Sequence, residues 1–318
     1  GENAVDAGNI GAPLSDFARH DARPDWIALE VSSFQLHDTP SLAPDVGVLT
    51  NLSPDHLDRY ASEEEYYADK ALLFKNASKN SRWVLNADDV RVGEMTKGVA
   101  GKSYEFSLSE AGDARFDSAA QTLELLGKPL LPRADLKLLG NHNVANALAA
   151  ALAVSVADDR FKSDESRRMI ASALSSFEAL GHRLEIVGEV DGVQWINDSK
   201  ATNVSSALVA IEGMQRPTVL LMGGRHKGET YKSLAEPIRR TVKKLIAYGE
   251  AAQLIEEDLG DVVPFIRLGS DFDEVIRSAR ESASQGEAVL MSPACSSYDM
   301  FRNYEERGAR FRQLALRK

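Results

Sequence analysis

From Leu184 onward, short apolar runs alternate with helix-length segments: "LEIVGEV" (184–190), "VQWIN" (193–197), "TVLLM" (218–222), "KLIAYG" (244–249), "VPFIRLG" (263–269) and "EAVLMS" (287–292). Between them the pattern predicts helices from Val204, after Ser233, near Ala251, from Asp271 and from Met300. Strands separated by a helix rejoin one sheet by a crossover, so they lie parallel and helices cover the sheet faces. Residues 181–318 are therefore expected to form a βαβ domain.

The first half carries a second α/β pattern. "WIALE" (26–30), "VGVLTN" (46–51) and "RWVLN" (82–86) read as strands, with a helix after Ser62. Residues 103–139 hold β-like runs without an intervening helix and predict a small antiparallel excursion. Helical patterning returns over 144–156 and 163–180, with Gly181 as a C-terminal stop. The expected domains are residues 1–180, around a central parallel sheet, and 181–318.

The 318 residues suffice for two domains at about 150 residues each. The net charge of −11 repels nucleic acid and anionic membrane surfaces on average. No apolar run is long enough to span a bilayer and no basic-then-apolar leader opens the chain. A cytoplasmic location and a monomer are expected. Cys295 is the only cysteine, so no intrachain disulfide can form, and a buried inert thiol is expected there. Neither half has G-x-G-x-x-G after its first strand, and no G-x-x-x-x-G-K-[ST] loop is present.

The polar stretches follow strands: Glu30, Asn51–Asp58, "NDSKATN" (197–203), "GGRHKG" (223–228) and "SPACSSYD" (292–299). Open parallel sheets bind ligands beyond the carboxyl ends of their strands. The last three stretches supply lysines, an arginine, hydroxyls and backbone amides, which suit anions; turn chemistry is the alternative for each. Asp55, His56 and Asp58 offer hard oxygens and an imidazole, a set for magnesium or manganese or simply a helix-capping loop. Glu30 fits a magnesium ligand or a surface carboxylate. Ser62 and Glu65 form an S-x-x-E capping box, and the helix they start puts Lys70 beside Tyr66 and Leu73 on its apolar side. Partial burial there favours the neutral amine, which can react with carbon dioxide; a snorkelling lysine is the alternative.

Taken in order, "GNIG" (8–11), "LEVSSFQL" (29–36), "DHLDRY" (55–60), "NADD" (86–89), "GNHNVAN" (140–146), "GHRLE" (181–185), "NDSKATN", "GGRHKG" and "SPACSSYDMFRNYEERG" (292–308) resemble the Mur ligases. The resemblance covers nearly the whole chain. It implies a central ATPase-type domain followed by a Rossmann-like C-terminal α/β domain, and an ADP-forming amide ligation in cytoplasmic peptidoglycan precursor synthesis. The alanyl carboxylate of UDP-N-acetylmuramoyl-L-alanine would take the γ-phosphate of ATP, and the amine of D-glutamate would attack the acyl phosphate. By the same resemblance Lys70 would be carbamylated by carbon dioxide and share one magnesium ion with His56, while Glu30 holds a second. Asn9 would touch the nucleotide-sugar substrate, Asn146 the adenine, Arg183 the γ-phosphate and Asp198 the ribose, with Lys200 near the phosphates. Thr202, Lys227, Ser297 and Tyr298 would hold the D-glutamate carboxylates, beside Tyr304. Tyr304 and Tyr298 stand where the family has phenylalanine and leucine, which bears on amino-acid selectivity.

In this family a uridine-binding domain and a glycine-rich phosphate loop precede "GNIG". With Gly1 in place of methionine, the chain is expected to be an N-terminally truncated piece, nearly inactive alone. The alternatives are a related ligase with another amino acid, of the folylpolyglutamate synthase type, and a non-catalytic amino-acid or nucleotide binding fragment.

Overall fold

The alternating apolar runs settle into sheets dominated by parallel neighbours in the computed structural model of the chain, which describes residues 3–9, 11–19, 23–53, 59–109 and 112–317. The chain divides into two units, residues 1–132 with 145–171, and residues 133–144 with 172–318.

In the first unit, β1 (Ala4–Gly8) pairs in parallel with β2 (Trp26–Glu30), placing Gly8 opposite Glu30. The segment between them carries α1 (Leu14–Ala18), and α2 (Ser33–Asp38) follows β2. Strands β3 (Val46–Leu49), β4 (Arg82–Asn86) and β5 (Lys102–Ser107) run parallel, with α3 (Glu63–Ala71) and α4 (Val90–Met95) among their connections. β6 (Ala114–Asp117) joins β5 in parallel, and β7 (Thr122–Leu125) and β8 (Lys128–Pro132) then complete an antiparallel meander. The antiparallel excursion thus begins one strand later than the sequence pattern suggests. The run "TLELLGKPLLP" folds back on itself because Leu126 and Gly127, at φ 51° and 74°, make a two-residue turn whose twist matches a hairpin. Beneath this sheet Trp83, 1% exposed, meets Phe74 edge-on at 4.8 Å. A Cβ on Gly47 would lie 2.4 Å from the Trp83 ring, so the glycine makes room for the indole.

The helix α3 starts as expected at Ser62, whose hydroxyl accepts from the Glu65 amide at 3.3 Å. The return bond from Glu65 goes to the Ala61 amide instead of Ser62, so only half of the capping box forms. A complete box sits at Ser32 and Gln35, at the start of α2. Helix α5 (Asn141–Ala157) buries Val144, Ala147, Leu148, Ala151 and Leu152 at helical spacing, and the division between the units falls within it. α6 (Asp164–Ser176) stops short of Leu180.

In the second unit, β9 (Glu185–Val190) and β10 (Val193–Asn197) form a hairpin across Asp191–Gly192, at φ 53° and 75°. β11 (Thr218–Gly223), β12 (Val242–Tyr248), β13 (Phe265–Arg267) and β14 (Ala288–Met291) are parallel to β10, and the sheet order is β13-β12-β11-β14-β10-β9 among the described residues. Residues of α7 (Val204–Glu212), α8 (Ala235–Thr241) and α9 (Ala252–Leu259) pack with Ile196, Leu220, Met222 and Leu290. Residues of α10 (Phe272–Ser282) and α11 (Tyr304–Ala315) pack with Trp195, Val219, Leu221 and Val289. Alternate residues of one strand therefore serve opposite layers, which is why Val219–Met222 is an unbroken apolar run. Each of these fully buried aliphatic side chains contributes about 1.5–3 kcal/mol. The last helix starts at Tyr304, not Met300, because Asn303 caps it by accepting from the Glu306 amide at 2.8 Å.

The chain runs from β10 outward through β11, β12 and β13, then returns to insert β14 between β10 and β11. This reversal places the carboxyl ends of β10, β14 and β11 side by side. Among the described residues, no helix is long and apolar enough to cross a membrane.

Candidate active site

Three polar loops leave those neighbouring strand ends: 198–203 after β10, 224–228 after β11 and 292–299 after β14. Backbone bonds tie them together. The Asp198 amide donates to the Met291 carbonyl at 2.9 Å, the Gly223 amide to Pro293 at 3.0 Å, and Arg225 and Ser296 exchange amide-to-carbonyl bonds of 2.8 and 3.1 Å. Gly224 permits this approach: at φ 129°, a Cβ there would lie 2.2 Å from the Ser296 carbonyl oxygen.

Arg307 of α11, with no exposed surface, holds all three loops. Its Nε donates to the Ser199 hydroxyl at 2.9 Å, and its terminal nitrogens donate to the carbonyls of Ser199 at 2.8 Å, Cys295 at 3.1 Å, and Gly223 and Ser296 at 3.4 Å. A planar fork of five donors suits several carbonyls at once. In the sequence this residue lies within "YEERG", where nothing local gives it a part. The available signal was position: Arg307 lies four and seven residues before the buried Phe311 and Leu314, on the helix's core stripe.

On the first of these loops Asp198 is buried. Its carboxylate accepts from the Leu184 amide at 3.1 Å and the Ser292 hydroxyl at 2.7 Å. Burial pushes its pKa up to about 7, against the opposing pull of those two bonds and of the Arg183 and Arg307 charges. Arg183 is exposed beside it, between His182 and Leu184, both held in the left-handed region at φ 67° and 43°. The Lys200 amide donates to the His182 carbonyl at 3.0 Å, and the Lys200 ammonium lies 5.5 Å from the centre of the Tyr304 ring, which His182 also meets edge-on at 5.9 Å. His142 stays below its usual pKa through burial and the nearby Arg183 charge. The structure thus gathers Arg183, Asp198, Lys200 and Tyr304: cations, a carboxyl and an aromatic face.

Beside this group Lys227 donates to the Thr202 hydroxyl at 3.3 Å. Ser297 is buried on the β14 loop, and Tyr298 next to it is 62% exposed. An ammonium with hydroxyls and loop amides suits carboxylates.

In the first unit, the Asn9 amide donates to the Glu30 carboxylate at 2.9 Å, and the Asn9 backbone amide donates to the Glu30 carbonyl at 2.9 Å. A Cβ on Gly8 would lie 2.2 Å from that carbonyl oxygen, so the "GN" pair is needed for this approach. Lys70 is half-buried on the last turn of α3 with its ammonium 5.1 Å from the centre of the buried Tyr66 ring, so its stem follows the packed face as the spacing predicts. The preceding Asp69 accepts from the Tyr60 hydroxyl at 2.9 Å and meets His37 Nδ1 at 2.9 Å. That hydrogen bond raises the His37 pKa. His37 carries no signal in sequence beyond its place in "SFQLHD". His56, with Asp55 and Asp58, lies outside the described residues, and among the described residues no group of three or more His, Cys, Asp or Glu side chains is gathered for a metal. Glu30 offers one exposed hard-oxygen ligand of the type magnesium takes. Asn146 is exposed on α5 and belongs to the first unit, whereas Arg183, Asp198 and Lys200 belong to the second.

Family models match in two segments: the Mur ligase middle domain over residues 7–154 and the Mur ligase glutamate ligase domain over 182–295. A UDP-N-acetylmuramoylalanine–D-glutamate ligase from Salinibacter ruber is 39% identical over 323 aligned residues, covering 99% of this chain and 69% of the relative. One of the same name from Pelotomaculum thermopropionicum is 38% identical, covering 99% and 69%. Among solved structures, a MurF ligase from Thermotoga maritima in complex with ADP superposes with a TM-score of 0.72 at 16% identity, covering 98% of this chain and 73% of that one. A bifunctional folylpolyglutamate synthase/dihydrofolate synthase from Yersinia pestis gives 0.63 at 18%, covering 92% and 67%. At such identities the two structures speak for the fold, while the two family matches and the identity along 99% of this chain speak for descent. The chain belongs to the Mur ligase family and carries its middle and glutamate ligase domains.

Proposed function

We propose that this chain carries the amide-bond-forming part of an ADP-forming ligase that joins D-glutamate to UDP-N-acetylmuramoyl-L-alanine in cytoplasmic peptidoglycan precursor synthesis. The observation that carries the reading is the 39% identity, along 99% of the chain, to a relative bearing that name. The loop chemistry supports it: Lys227 and Thr202 meet at 3.3 Å beside Ser297 and Tyr298, a setting for a dicarboxylate amino acid.

In this reading the alanyl carboxylate oxygen attacks the γ-phosphorus and ADP leaves. The neutral amine of D-glutamate then attacks the acyl carbon and phosphate leaves. Arg183 and Lys200 offset the negative charge on the transferring phosphoryl group. Asp198 anchors the ribose of ATP through lone pairs left beyond its bonds to Leu184 and Ser292, Asn146 faces the adenine, and Asn9 the nucleotide-sugar substrate. Lys227, Thr202, Ser297 and the Tyr298 backbone hold D-glutamate so that its amine points at the acyl group, with Tyr304 alongside. Glu30, His56 and Lys70 as its carbamate would hold two magnesium ions, which when bound neutralise phosphate charge.

Phosphate release with ATP, magnesium and UDP-N-acetylmuramoyl-L-alanine tests the reading. It should require D-glutamate and reject L-glutamate, measured on this chain and on a form extended by the segment of the Salinibacter ruber relative that lies outside the alignment. Release by neither form with D-glutamate refutes the substrate assignment, and release with another amino acid reassigns the ligase.

A further inference from the structure

The loop carrying Lys227 also contains a chain of polar groups that the reading above leaves unused. Tyr231, 1% exposed, places its hydroxyl 2.9 Å from Nδ1 of His226 and 3.0 Å from Sγ of Cys295. Cys295 has no exposed surface and leads into the loop of Ser297 and Tyr298, whereas the His226 ring is half-buried. Three residues from two of the three site loops and the segment following them are thereby joined through their side chains.

The direction of this chain follows from proton counting. Burial holds both inner groups protonated: it pushes the Cys295 thiol up to about 11 and raises the Tyr231 phenol well above its ordinary value. A phenol has one proton to donate and can accept from others, a thiol is a weak donor and a weaker acceptor, and a neutral imidazole has one N–H. If the thiol donates to the phenol and the phenol to Nδ1, every proton in the chain meets an acceptor and the better acceptor, nitrogen, receives the stronger donor. If Nδ1–H donates to the phenol and the phenol to sulfur, the thiol proton has no place in the chain. The first direction leaves the imidazole proton on Nε2, on the side of the ring turned away from Tyr231 and on the residue next to Lys227.

We propose that His226 is a further substrate-binding residue, whose Nε2–H donates to a carboxylate of the amino acid held by Lys227 and Thr202, and that Tyr231 and Cys295 are positioning residues that fix this tautomer. The proposal rests on the ligase reading above and adds a donor to its amino-acid site. A lysine supplies a mobile point charge, whereas an imidazole locked at Nδ1 supplies a directed donor, which is what separates one carboxylate geometry from another.

The test is imidazole nitrogen NMR on the full chain, with D-glutamate as the titrated probe. The parent should show His226 as the Nε2–H tautomer. Tyr231→Phe should lose that single-tautomer signature and weaken D-glutamate binding by about tenfold, the worth of one hydrogen bond to a charged group. His226→Ala should weaken it by a similar factor, while His226→Gln, which keeps an N–H near the Nε2 position, restores most of the affinity. A structural role alone would not be rescued by glutamine. An Nδ1–H tautomer in the parent, or a His226→Ala variant that binds D-glutamate within twofold of a binding parent, overturns this proposal alone. A parent chain that binds no D-glutamate overturns this proposal, and the ligase reading falls with it only where phosphate release with D-glutamate also fails in both forms.

Discussion

Replacing Arg307 by methionine keeps most of the apolar stem of the side chain and removes its fork of donors. In the structure that fork meets the carbonyls of Ser199, Gly223, Cys295 and Ser296 and the Ser199 hydroxyl, with no exposed surface on the residue. A hydrogen bond to a charged group is worth about 1.5–3 kcal/mol, but the two 3.4 Å contacts are weak and the variant regains the cost of burying a charge. The carbonyls left unpaired in a closed space decide the balance: each buried acceptor left unsatisfied costs about 1–3 kcal/mol, so a net loss of about 3–5 kcal/mol is expected. That is a large part of the stability of an ordinary domain, about 5–15 kcal/mol. Native-state hydrogen exchange at the amides of Leu220 and Leu290, in β11 and β14, reads the opening of this unit directly. The expected loss there is about 3–5 kcal/mol, with the first unit's β4 amides unmoved. A loss below about 1 kcal/mol in β11 and β14 would refute the view that one guanidinium holds the three loops in register.

Asp198→Asn tests the buried acid. Its folded pKa of about 7 lies above the ordinary value of 3.8, so between those values the folded state holds a proton that the unfolded state has released. Stability from this group is therefore highest below the ordinary value and falls as pH rises towards about 7, by about 4 kcal/mol in total at 1.36 kcal/mol per unit. Urea unfolding across that range should show this slope flatten in the asparagine variant, and an unchanged slope would contradict the assignment. Gly224→Ala forces a Cβ against the Ser296 carbonyl at a φ of 129°, so about 1–3 kcal/mol of stability should go, with weakened D-glutamate binding in the same titration. Ser32→Ala removes the complete capping box of α2 and should cost about 1 kcal/mol, seen as faster exchange at Gln35 with no change in the second unit.

The sheet-forming segments were legible because burial on both faces leaves a signature in composition: Val219–Met222 and Ala288–Met291 are uninterrupted apolar runs, and the polar loops that follow them stand out by contrast. The Lys70 stem followed the same logic, since spacing from Tyr66 and Leu73 decides which side of a helix it lies on. The boundary moved where a cap intervened, as Asn303 did at α11.

The pairing of distant groups was not legible in that way. Nothing local says that β14, last in sequence, inserts between β10 and β11, yet that reversal puts Asp198 beside Ser292 and Gly224 beside Ser296. Arg307 reads as one more charged residue on a surface helix until the sheet order places three carbonyl-rich loops around it. His226, Tyr231 and Cys295 are likewise unremarkable as separate letters. Periodicity and residue type act over a few neighbours along the chain, so the sequence by itself determined the strands, the helices and the loops that carry polar chemistry. Which carboxyl is buried, which cation is surrounded by carbonyls and which hydroxyl meets which ring depend on contacts between residues up to about a hundred positions apart, and those only the tertiary structure decided.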